Sequence, residues 1–116
     1  MRKKPKSKYN ARKVKADDIT FDSAKEASRY RQLRRLEERG EISGLERQVK
    51  FVLIPKQTDK RTKKTLEREC AYYADFVYHL PSGERVVEDV KGVRTDVYKI
   101  KRKLMLWVYG IVITEI

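Results

Sequence analysis

The chain of 116 residues is 40% hydrophobic and 40% charged, enough apolar material for one domain with a modest core and too much for a wholly disordered protein. Its 29 Lys and Arg outnumber 17 Asp and Glu, and the resulting net charge of +12 favours a polyanionic partner, most simply nucleic acid. One cysteine (Cys70) and one histidine (His79) exclude a disulfide framework, a cysteine zinc site and a histidine-based metal centre, and no apolar run could span a bilayer, which points to a soluble cytoplasmic protein with no membrane partner.

Residues 1–18 read as a flexible basic arm, since 1–15 carry eight Lys and Arg and no acid. An expression tag or an import signal would look the same. The folded domain is expected over 19–116. Its first helix should begin near Asp22-Ser23 and stop at Gly40, a C-cap glycine. Ala27, Tyr30, Leu33 and Leu36 recur every three residues and define its apolar stripe. Glu26 falls in the middle of that stripe, where a carboxylate needs a metal, a cation or hydrogen-bond donors. Ser23-Ala24-Lys25-Glu26 also reads as a capping box, with Glu26 bonding back to the Ser23 backbone. Residues 45–54 follow as a strand, with Val49, Phe51 and Leu53 on one side, Gln48, Lys50, Val52 and Ile54 on the other, and Pro55 ending the run. Residues 56–68 form a polar connection with six Lys and Arg, either a solvated loop or a flap that contacts DNA.

Two segments rich in β-branched and aromatic residues come next, 72–78 and 86–92, joined by Pro81-Ser82-Gly83. This is hairpin chemistry. Centred on Ser82, the register sets Asp75 across from Asp89, with Cβ atoms about 5 Å apart, and Lys91 on the same face. The opposite face pairs Ala74 with Val90, Phe76 with Glu88 and Tyr78 with Val86, an apolar, core-facing side apart from Glu88. A one-residue slip would mix polar and apolar positions on both faces. Thr95 or Asp96 then caps a second helix over 97–109, with Val97, Ile100, Lys101, Leu104 and Val108 along one side. Gly110 stops it, and 111–116 make a last strand.

Two carboxylates held this close repel unless a cation lies between them, so Asp75 and Asp89 suggest a divalent-metal site, with Glu26 as a further ligand from the first helix. Mg²⁺, which Mn²⁺ can replace, suits such hard oxygen ligands, acidifies bound water and offsets charge on a phosphate. Lys91 would orient the attacking water or neutralise the pentacovalent phosphorus. The reaction class is phosphodiester hydrolysis. A surface salt bridge between Asp89 and Lys91 is the plainer alternative. Cations expected along a DNA backbone are Lys3, Lys4, Lys6, Lys8, Arg12 and Lys13 in the arm, Lys60, Arg61, Lys63 and Lys64 in the connection, and Arg94, Lys99 and Arg102 around the second helix.

Tyr-Ala-Asp-Phe followed by Val-Glu-Asp-Val-Lys-Gly resembles the PD-(D/E)XK nuclease superfamily. The expected α/β fold, an αβββαβ arrangement of α+β type with a mixed sheet, is similar to that superfamily's restriction-endonuclease-like core. Phe-Asp-Ser-Ala-Lys-Glu-Ala, Gln-Val-Lys-Phe and Tyr-Lys-Ile-Lys-Arg-Lys-Leu resemble a small phage-associated branch, over residues 21–116. The resemblance implies that Asp75 is the first motif acid, Asp89 the second, Lys91 the motif lysine and Glu26 the helix acid. Ala74 stands where the nominal motif has proline. Glu88 competes with Asp89 as the ligating acid, and Gln48 and Lys101 are auxiliary candidates. Among phage-sized members the best-fitting role is a Holliday-junction resolvase, a homodimer acting on branched DNA in a bacterial or phage-infected cell, with the hairpin or Trp107 as interface candidates. A nicking or flap-cleaving endonuclease is an alternative. So is a non-catalytic nucleic-acid-binding protein on the same fold.

Overall fold

The computed structural model describes residues 13–116, so 1–12, most of the expected arm, lie outside the described residues. The chain runs β1 (Val14–Ala16), β2 (Ile19–Phe21), α1 (Ala24–Glu38), β3 (Ser43–Ile54), β4 (Gln57–Thr58), β5 (Thr65–Glu67), β6 (Cys70–His79), β7 (Arg85–Asp89), α2 (Asp96–Tyr109) and β8 (Thr114–Glu115). A four-stranded sheet of order β3-β6-β7-β8 is antiparallel except for the parallel pair β7–β8. The domain is therefore mixed α+β, with a mixed sheet and two helices. Its larger elements keep the expected αβββαβ order.

Local chemistry sets the ends of these elements. Ser23 Oγ accepts from the Glu26 N–H at 3.1 Å to start α1, and Thr95 Oγ1 accepts from the Tyr98 N–H at 3.1 Å to start α2. Gly110, at φ +68°, closes α2 in the left-handed conformation. The β6–β7 hairpin has the expected register, pairing Phe76 with Glu88, Val77 with Val87 and Tyr78 with Val86.

Two small hairpins revise the sequence reading. Residues 14–16, assigned to the arm, pair as β1 with β2. Asp17 and Asp18 at φ 49° and 60° form the tight turn between them, and Val14, Ala16 and Ile19 pack beneath α1. Apolar contacts therefore draw the chain into the domain before residue 19. Within 56–68, β4 and β5 pair, and Asp59 Oδ1 accepts from the Arg61 and Thr62 N–H groups at 2.8 and 2.9 Å to order the tip.

The helices cover opposite faces of the sheet. Phe76 and Tyr78 join Phe21, Ala27, Tyr30 and Leu33 under α1, whereas their neighbour Val77 joins Val87, Tyr98 and Met105 under α2. Phe76 is fully buried, with its ring 6.3 Å from that of Tyr30. Phe76→Ala should lower the urea-unfolding free energy by about 3–5 kcal/mol, a large share of a small domain's stability.

Candidate active site

The site begins with a backbone irregularity. Gln48 lies inside β3 at φ +50°, a left-handed conformation that a residue with a Cβ adopts at an energetic cost. Pairing continues on either side, Arg47 with Phe76 and Val49 with Ala74, so no residue is inserted. What changes is the phase of the side chains. Leu45 packs under α1, but Val49, Phe51 and Leu53 pack under α2. On β6, Tyr72 and Ala74 belong to the α2 side and Phe76 and Tyr78 to the α1 side. Arg47 and Gln48, adjacent in sequence, consequently both reach Glu26, where a regular strand would send them to opposite faces.

This phase change corrects the expected grouping of the acids. Asp75 turns to the α1 side, where the Gln48 amide nitrogen donates to it at 3.1 Å and to Glu26 Oε1 at 3.3 Å. Asp89 stays with Val87 on the α2 side. There it accepts a hydrogen bond from the Tyr72 hydroxyl, and its Oδ1 is 3.2 Å from Lys91 Nζ. The ladder pairing of β6 and β7 ends at Phe76 and Glu88, because the Val90 N–H donates to the Asp75 side chain at 2.8 Å while Asp89 pairs with β8. Among the described residues, no three of the His, Cys, Asp and Glu side chains stand close enough together to hold a metal ion. The expected trio of Glu26, Asp75 and Asp89 is thus a pair plus a neighbour.

Where the strands part, a cleft of about 430 Å³ opens, lined by Asp22, Ser23, Lys25, Glu26, Asp75, Val90, Lys91, Gly92, Val93 and Thr95. Both helix N-caps, Ser23 and Thr95, border it, so two positive dipole ends and two lysines share the cleft with three carboxyls, Asp22, Glu26 and Asp75. Burial, reinforced by the nearby Asp75 and Asp22 charges, pushes the Glu26 carboxyl up to about 7. Burial also raises Asp75, to about 6, with help from Asp89 and against the opposing Val90 hydrogen bond. The capping alternative for Glu26 is half realised: Ser23 caps the helix, but the Glu26 carboxyl faces Gln48 and Arg47.

Glu88 is spoken for elsewhere. Fully buried, it forms a two-pronged pair with Arg29, at 2.9 Å from Nε and 2.7 Å from Nη2, and accepts from the Tyr78 hydroxyl. Its contacts are structural, and Asp89 is the acid beside Lys91. Lys101 is half-buried on α2 and is not among the residues lining the cleft. Arg94 and Arg102 pair with Glu115, whereas Lys60, Arg61, Lys63 and Lys64 are exposed at the β4–β5 tip and Lys13 and Lys99 are also exposed. Lys3, Lys4, Lys6, Lys8 and Arg12 lie outside the described residues. Sequence reasoning missed Arg29, Arg47, Tyr72 and Lys25. The one signal for Arg29 was Glu88 itself, an acid on an apolar face that demanded a partner.

These features define a small mixed α+β domain with an acid- and lysine-lined cleft at the opening of its sheet. A family model described as protein of unknown function (DUF1064) matches residues 6–114, and the chain belongs to that family. No curated protein and no solved structure matches it. No helix among the described residues is long and apolar enough to cross a membrane.

Two expectations follow from the cleft's chemistry. Glu26 and Asp75 bind their protons more tightly folded than unfolded, so they favour folding fully below about pH 4 and progressively less as pH rises through about 6 to 7. Glu26→Gln should therefore be stabilising at pH 8, and its advantage over the parent in urea unfolding should shrink as pH falls toward 4. Arg29→Met, which leaves the Glu88 carboxylate buried without its cation, should cost about 3–5 kcal/mol in the same measurement.

Proposed function

We propose that the protein is a divalent-metal-dependent DNA endonuclease of the PD-(D/E)XK type, with the cleft as its active site. The observation that carries this reading is the Gln48 amide held between Glu26 and Asp75, 3.3 and 3.1 Å from their oxygens, with Lys91 lining the same cleft. A donor between two raised carboxyls marks a place where a cation is favoured. The donor set fits Mg²⁺, which is commonly held by one or two carboxylates and otherwise keeps water and phosphate oxygens. Glu26 and Asp75 would hold the ion, and Asp89 is their neighbour, its buried Oδ1 3.2 Å from Lys91 Nζ. When bound, the ion would supply an acidified water and charge neutralisation at the phosphorus.

The protein's own residues supply the rest. Lys91, between Asp89 at 3.2 Å and the Tyr98 ring at 4.4 Å, is oriented on both sides and presents a cation to a phosphate oxygen. The helix N-termini at Ser23 and Thr95 favour an anion in the same space. Gln48 keeps the two carboxyls together, and ligation must displace their protons, so cation affinity should rise between pH 6 and 8. The ordered basic tip of β4–β5 suits contact with the DNA backbone. The αβββαβ element order supports a restriction-endonuclease-like core. Within this reading a junction resolvase, working as a homodimer, is the preferred role. It rests on the motif resemblance.

A second reading, a binding protein without catalysis, draws on Asp89 being engaged by Tyr72 and Lys91. Cleavage of four-way junction, flap, duplex and single-stranded DNA, with and without Mg²⁺, separates the two. The nuclease should require Mg²⁺ or Mn²⁺ and lose at least about a hundredfold in rate on Asp75→Ala, Asp89→Ala or Lys91→Ala while DNA binding persists. Cleavage undiminished in EDTA, or by Asp89→Ala, would overturn the mechanism, and binding without cleavage of any substrate would select the second reading.

A further inference from the structure

Helix α2 has two apolar faces, and the fold uses one. Tyr98 and Met105 are buried against the sheet. Around the helix from them, Val97 is 62% exposed, Ile100 58%, Trp107 86% and Val108 46%, with Leu104 half-buried between them. At 3.6 residues per turn, these five side chains fall in one stripe about 100° wide, the pattern of a helix that buries this face against something. The expected side of Val97, Ile100, Lys101, Leu104 and Val108 therefore exists, but of its apolar residues only Leu104 packs against the core. A large exposed apolar patch is unusual on a monomeric surface. On the neighbouring flank, a shallow cavity of about 190 Å³ repeats the chemistry, with Leu106, Val112 and Ile113 between Arg102 and Lys103.

Charge selects the occupant. Lys99 and Lys103 border the stripe on one margin and Lys101 on the other, and α2 has no acidic residue after Asp96. A second copy packed α2 against α2 about a two-fold axis would bring the lysines of both helices onto one seam with no carboxylate between them. A helix with its own apolar stripe bordered by Glu or Asp would satisfy both the apolar surface and the lysines. We propose that this face of α2 docks an acidic amphipathic helix of a different protein, in the manner of a helix laid along an apolar groove. The cleft lies at the Thr95 end of α2, and Trp107, at the other end of the stripe, is twelve residues further on, about 18 Å along the axis. The inference is independent of the reaction proposed for the cleft.

The chain's single tryptophan, Trp107, reports on this face directly. The test uses two fluorescein-labelled synthetic helical peptides with identical leucine positions, one bordered by glutamate and the other by lysine, titrated against the full chain. The glutamate peptide should bind, blue-shift the Trp107 emission and weaken at least about tenfold with Ile100→Glu, an exposed change that leaves the core intact. The lysine peptide should not bind. Equal binding of the two peptides, no binding of either, or binding unaffected by Ile100→Glu would overturn the proposal. So would sedimentation as a dimer that Ile100→Glu dissociates, which would make a second copy the occupant. A Trp107 blue shift on phosphatidylserine vesicles but not with the glutamate peptide would replace the partner helix with a membrane surface.

Discussion

The left-handed backbone at Gln48 is the constraint on which the rest of this structure depends. In the middle of a long strand it lets two consecutive side chains, Arg47 and Gln48, reach the same helix, and the paired strand follows with Asp75 and Phe76. The strain is modest and is held in place by the ladder on both sides, where pairing continues without an inserted residue. Its effect is large. Apolar residues of β3 and β6 serve the α2 side near one end and the α1 side near the other, so a single sheet supports two cores. The same shift lifts Asp75 out of the ladder and leaves its carboxyl free to take the Val90 N–H. The strands part at that point, and the cleft is the space they leave.

Three acids of the β6–β7 hairpin are thereby given different tasks. Glu88 is completely enclosed, with Arg29 and Tyr78 supplying its hydrogen bonds. Breaking that pair leaves a buried charge unpaired, the most damaging of electrostatic changes. Asp89, one residue on, is pinned by Tyr72 and Lys91 on the other side of the sheet. Asp75 faces Glu26 across a single amide, and both are held above the ordinary carboxylate range by burial first, reinforced at Glu26 by the Asp75 and Asp22 charges and at Asp75 by the Asp89 charge. Acids kept in this condition destabilise the neutral-pH fold. A cation that bound them would relieve that penalty.

Much of this was legible before any coordinates. The β6–β7 register followed from alternation and from the turn at Gly83, because one slip would have exposed apolar residues on both faces. Ser23, Thr95 and Gly110 marked helix ends through side-chain and backbone rules that act over three or four residues. Glu26 stood out because a carboxylate on an apolar stripe must be explained. The β1–β2 and β4–β5 hairpins were not legible, since each strand is three residues or fewer and too short for a period to register. Asp17 and Asp18, which make the first turn, do not announce positive φ as glycine would.

Sequence by itself determined the order of the larger elements, the β6–β7 register, the caps and the basic charge, all of which rest on interactions between near neighbours or on simple sums. Which acids meet was decided by tertiary structure alone. Asp75 and Asp89 are opposite in register yet turn to different helices, because one strained residue on a third strand changes the phase of the sheet between them. Likewise α2 has apolar residues around much of its circumference, and only the docked helix distinguishes the flank of Tyr98 and Met105 that the sheet covers from the flank of Trp107 that it leaves bare. A periodic pattern reports that a face is apolar. What covers it depends on the packing of the whole.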